Sequence, residues 1–144
     1  ENTRFLTPDP FITLTVPSAT SRAVTVGAYN SNNDTIATFS GRGFTRENDK
    51  IKPDLVAPGV NVLSASNTGG TTIRSGTSMA APFVAGSAAL MMEWGIVNGN
   101  DRFLYGEKIK AYLQKGAKKL PFVSGYPNNE IGWGALCLRD SLPV

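Results

Sequence analysis

The sequence predicts an α/β fold, a mostly parallel sheet covered on both faces, and three observations carry that expectation. Short runs of β-forming residues give way along the chain to helical patterns, the alternation that builds such sheets. One helical run, residues 79–94, is apolar around nearly its whole circumference, which marks a helix buried on all sides. The strands come first and the helices bunch at the C-terminal end, as in the latter part of a larger α/β domain.

The elements follow in order. Residues 1–10 read as an irregular lead-in, because Pro8 and Pro10 forbid a helix. Residues 11–16 alternate β-formers up to Pro17 and read as a short strand or edge. Residues 23–29 are a second strand, with Gly27 allowing close backbone approach. Residues 35–39 are a third short strand, ahead of a charged loop that runs through Lys52. Residues 55–57 form a buried strand that runs into the Pro58-Gly59 turn, and 60–66 alternate apolar and polar side chains. Residues 71–74 make a last strand before a small-residue turn that opens the apolar helix, with Pro82 in its first turns. Residues 105–115 form an amphipathic helix with Ile109, Tyr112 and Leu113 on one face and Gly116 at its end. Gly132-Trp133-Gly134 turns into a closing helical segment over 135–141. With no repeat or linker to divide it, the chain separates into a lead-in over 1–14 and one domain portion over 15–144.

Composition excludes several classes. The 144 residues are 41% hydrophobic and 17% charged, which is globular and long enough for a core. The net charge of +3 includes Lys115, Lys118 and Lys119, which lack interleaved aromatics and read as a solvated helix end, so no nucleic-acid partner is expected. Cys137, alone between Leu136 and Leu138, reads as a core residue. No run is expected to reach the ~18 apolar residues of a membrane span.

The chemistry centres on Gly76-Thr77-Ser78-Met79-Ala80-Ala81-Pro82. Gly76 permits the turn, Ala80 and Ala81 keep the surroundings uncrowded, and the helix start supplies free N–H groups for a developing oxyanion. Ser78 is therefore the candidate nucleophile. A serine needs a base to take its proton, and the chain has no histidine. Local physics leaves a second reading open, in which Ser78 only caps the helix. Other motifs fit worse. The hydrolase elbow would need glycine where Ala80 stands, and the Ser-x-x-Lys pair meets Ala81. No phosphate-binding loop is present, and a zinc site is not expected with one Cys and no His.

Ser75-Gly76-Thr77-Ser78-Met79-Ala80-Ala81-Pro82, followed by Val84-Ala85-Gly86, resembles the serine signature of the subtilisin-like serine proteases, or subtilases. Lys52-Pro53-Asp54-Leu55-Val56-Ala57-Pro58-Gly59 resembles the family's Pro-Asp-x-x-Ala-Pro-Gly segment, and Thr25-Val26-Gly27-Ala28, Phe39-Ser40 and Gly132-Trp133-Gly134-Ala135 match further family segments in order. Within the family, Thr3-Arg4-Phe5-Leu6 and residues 89–97 are similar to clostridial-type subtilases, which carry a jelly-roll insertion ahead of this region.

The resemblance implies the C-terminal part of a three-layer αβα fold, a peptide or protein substrate, and a serine endopeptidase working through an acyl-enzyme. Ser78 would be the nucleophile, its own backbone N–H a donor to the oxyanion. The catalytic Asp, His and oxyanion-hole Asn are then expected before residue 1, so the chain alone is expected to be inactive and to need the N-terminal half of the domain. Asp34, Asp54 and Asp101 stand in the wrong places for the triad acid, and Asp54 reads as structural. Many family members have His where Phe83 stands, but that histidine is not catalytic. No cofactor is expected. Structural calcium is common in the family, yet Glu47, Asn48 and Asp49 read as a solvated charged loop. Location outside a bacterial cell, or on its envelope or spore, follows from the family. The alternative is a pseudoprotease or binding module that keeps the fold without the triad.

Overall fold

Strand β3 (Leu55–Pro58) is the centre of the architecture, and its first three residues are completely buried. A continuous Leu-Val-Ala run is what a strand covered on both faces requires. In the computed structural model, which describes residues 5–46 and 50–143, β3 pairs in parallel with β1 (Val26–Asn30), Val26 lying opposite Leu55 and Ala28 opposite Ala57. The short β2 (Thr35–Ile36) pairs antiparallel on the other side of β1, giving the order β2-β1-β3. A separate antiparallel hairpin joins β4 (Val62–Ala65) to β5 (Thr71–Arg74).

Alternation along β3 sends its side chains to two different cores. Leu55 and Ala57 pack with Ala28 and with Ala80, Val84, Met91, Ile109 and Leu113 of the helices. Val56 faces the other way and packs with Leu120, Ile131 and Ala135. One face is thus helical, while the other is covered by the irregular segment before α3 (Leu138–Ser141), tied on by Leu136 N–H donating to Val56 O at 2.8 Å. Helix α2 (Gly106–Lys115) ends at Gly116 with φ −85°, not left-handed. A side chain there would meet the Ser141 backbone nitrogen at 2.4 Å, so close packing on α3 is what keeps this position small.

Three expectations are corrected. Residues 11–16 form no strand: Thr13 N–H reaches Arg42 O at 2.9 Å, but no ladder follows, and the alternating apolar side chains have no face to cover. Helix α1 (Thr77–Met92) is not enclosed. Its buried stripe is Ala80, Val84, Ser87 and Met91, against β1 and β3, while Phe83, Leu90 and Met92 are exposed because the described residues supply no second layer there. Nor is the chain short of a helix with membrane-spanning length and composition. A π-helical turn (Glu93–Val97) carries α1 to 21 apolar-rich residues, although its contacts with the sheet are those of a core helix. The Glu47-Asn48-Asp49 cluster and Thr3-Arg4 lie outside the described residues.

A loop-to-helix ion pair sets one expected result. Asp101 pairs with Lys108 and accepts from the Tyr112 hydroxyl at 3.4 Å, and the Lys108 hydrogen bond holds its carboxyl below the ordinary 3.8. The stability this gives is fully present above the unfolded value of 3.8 and is lost as pH falls through the lower folded pKa. Thermal midpoints of the full-length protein should therefore fall less steeply in acid for Asp101→Asn than for the wild type, and equal slopes would refute it.

Candidate active site

Ser78 stands in the first turn of α1 and is exposed. The residue that precedes the helix is Gly76, at φ 155° and ψ 159°, a region only glycine occupies readily. A Cβ there would meet nothing closer than 3.8 Å, so the requirement is conformational, not one of space. Gly76→Ala should lower stability by about 1–3 kcal/mol, read as a fall in thermal midpoint, and an unchanged midpoint would show that the turn tolerates a side chain.

Two other motifs hold this turn. Gly76 N–H donates to Gly59 O at 2.8 Å, while Gly59 N–H donates to Tyr29 O at 3.0 Å, so the Pro58-Gly59 corner links β1 to the serine turn. A side chain at Gly59 would lie 2.5 Å from the Ala28 Cβ and 2.9 Å from Gly76 O. Ser75 Oγ accepts from Asn61 N–H at 2.9 Å, fixing the turn to the start of β4.

The capping alternative for Ser78 fails on geometry, because no side chain caps α1 by a hydrogen bond. Met79 and Ala80 donate their N–H groups to Gly76 O at 3.0 and 3.3 Å, whereas those of Thr77 and Ser78 have no acceptor among the described residues. With no acidic residue in the first turn, the positive end of the helix is left uncompensated. A hydroxyl with free backbone donors beside it is an arrangement suited to acyl transfer.

Clefts open on two sides of Ser78. One, of about 340 Å³, runs between Thr77, Ser78 and Ala81 and the wall formed by Pro17, Ser18 and Thr25. The other, of about 380 Å³, is bordered by Leu63, Met79, Pro82 and Phe83. Larger clefts of about 500 and 570 Å³ lie along the 10–20 segment, and the first of them reaches Thr77. Among the described residues no three His, Cys, Asp or Glu side chains gather as a metal site.

The sequence reading takes Asp54 as a structural residue that fixes a loop near the site, but it does not find the polar partners gathered around it behind the first cleft. Asp54, 3% exposed, accepts from Thr25 N–H at 2.7 Å, Lys52 Nζ at 2.6 Å, Lys110 Nζ at 2.8 Å and Gln114 Nε2 at 3.1 Å. Burial pushes the Lys52 ammonium below its ordinary 10.5, against the pull of Asp54. Lysines on a helix face read as solvated, so Lys110 gave no sign in sequence that it turns inward. Asp34 and Asp101 lie elsewhere, Asp101 being engaged with Lys108.

A model of the subtilase family matches residues 9–134, most of the chain. The chain belongs to the subtilase family. It is similar to the serine protease AprX of Bacillus subtilis, 34% identical over 91% of this chain and 32% of that protein. It is also similar to the minor extracellular protease Vpr of the same organism, 33% identical over 74% of this chain and 14% of Vpr. Among solved structures, the Clostridium perfringens CspB protease superposes with a TM-score of 0.92 at 51% identity, covering 96% of this chain and 30% of that one. The resemblance to clostridial subtilases agrees with that likeness. The chain thus spans about a third of the length of AprX and of the CspB protease, and about a seventh of Vpr.

Proposed function

We propose that this chain is the nucleophile-bearing portion of a serine endopeptidase, in which Ser78 attacks a peptide carbonyl and is acylated. The carrying observation is the exposed Ser78 hydroxyl at the start of α1, next to backbone N–H groups left without acceptors. Ser78 N–H would receive the oxyanion as the carbonyl carbon becomes tetrahedral. The proton of Ser78 passes to a histidine, which then protonates the leaving amine, and water releases the acyl group. No histidine exists among these 144 residues, so that base, its Asp partner and the oxyanion Asn come from another part of the protein.

Two further observations support a partial domain. The chain covers 30% of the CspB protease and 32% of AprX. Phe83, Leu90 and Met92 of α1 are exposed, as they would be where another layer packs around the helix. The substrate is a protein or peptide, by analogy with relatives named as proteases, and location outside the cell follows the relative named as extracellular.

A fluorophosphonate probe tests the reading. Full-length protein should be labelled at Ser78, identified by mass spectrometry, while the 144-residue chain alone should be labelled hardly at all. Strong labelling of the isolated chain would overturn the missing base. No labelling of the full-length protein would favour a binding module that has kept the fold.

A further inference from the structure

The wall of the cleft opposite Ser78 is a loop, and its fastening comes from far away in sequence. Residues 18–22 connect Pro17 to β1, are largely exposed, and make few backbone bonds of their own: Ser18 N–H to Thr15 O at 2.8 Å and Thr20 N–H to Pro17 O at 3.0 Å. Lys110 of α2 crosses to this loop. Its Nζ donates to Ser21 O at 3.0 Å and Ala23 O at 3.2 Å, while Asp54 Oδ1 holds it at 2.8 Å. All three ammonium hydrogens are thus used, on a side chain only 15% exposed. Lys52 adds a second tie to Ala23 O at 3.2 Å, and Thr25 Oγ1 donates to Ser18 O at 2.5 Å.

We propose that Lys110 is a positioning residue for substrate binding: with Asp54 as its anchor, it pins the 18–23 loop and so fixes the width of the cleft between that loop and Ser78. The inference rests on Ser78 being the nucleophile, since a peptide whose carbonyl sits at Ser78 lays its neighbouring residue against this wall. Lys110 touches neither substrate nor Ser78, so its loss changes how well a peptide is seated and leaves the acylating hydroxyl as it was. Uniform loss of this kind appears in KM with kcat retained.

The test uses the full-length protein, a fluorogenic peptide and the fluorophosphonate probe. Lys110→Met keeps the length of the side chain and removes the donors. Its KM should rise about tenfold, the equivalent of one lost hydrogen bond to a charged group, with kcat nearly unchanged and labelling of Ser78 at the wild-type rate. Lys108→Met, on the same helix but paired with Asp101, should leave KM unchanged. A wild-type KM in Lys110→Met would overturn the inference. So would equal effects of the two variants, or a fall in kcat and labelling together, which mark general damage to α2. If Lys110→Met does not fold, Lys110→Gln carries the same comparison. Failure of the wild type itself to label at Ser78 would sink the protease reading, and that result is separate from any outcome of the variants.

Discussion

Ser78→Ala in the full-length protein is expected to lower kcat for peptide hydrolysis by about a millionfold, the loss known for subtilisin when its nucleophile is removed. The size of the effect follows from the chemistry. Without Oγ no acyl-enzyme forms, and only binding and the oxyanion donors remain to favour attack by water. Stability should hardly change, because Ser78 is exposed and its side chain caps nothing. The two measurements separate catalysis from folding: peptide turnover collapses while the thermal midpoint stays put. A variant that retained a tenth of wild-type turnover would remove Ser78 from the mechanism.

Asp54→Ala is expected to produce the opposite pattern. Its carboxylate is the shared anion for two ammonium groups, Lys52 at 2.6 Å and Lys110 at 2.8 Å, with Thr25 N–H and Gln114 completing its shell. Removing it leaves two positive charges facing each other away from water, a loss of about 3–5 kcal/mol. For a domain of this size, that corresponds to a fall of about 10 °C in thermal midpoint. Asp140→Ala supplies the contrast: its pair with Arg139 is solvent-exposed, and water screens such a pair, so the thermal midpoint should hardly move. If both variants melted alike, the Asp54 cluster would have no special weight in stability.

Local pattern made much of this molecule readable before its coordinates. Strand 71–74 was expected where β5 lies, the Leu-Val-Ala run became β3, and Ile109 and Leu113 became the buried face of α2. The position of Ser78, exposed in the first turn of α1, was legible because the small residues around it are dictated by the turn that opens the helix. The misses have one cause, dependence on distant partners. Residues 11–16 have strand-like alternation, but a strand needs a neighbouring strand, and among the described residues none pairs with them. Helix α1 has the composition of an enclosed helix, yet enclosure depends on what surrounds it. The tie from Lys110 to Ser21 spans 89 positions, and a lysine looks the same on a helix whether it reaches solvent or a buried carbonyl.

The bare hydrocarbon along the outer side of α1 has a practical corollary for anyone making this polypeptide. Phe83, Leu90, Met92, Ile96 and Val97 are each exposed to water, with Phe83 and Leu90 on one flank of the buried stripe and Met92 on the other. Synthesised by itself, a chain with this much exposed hydrocarbon is expected to associate with other copies of itself, which its soluble yield would report. If the remainder of the proposed peptidase domain covers these side chains, co-expression with it should raise the soluble yield.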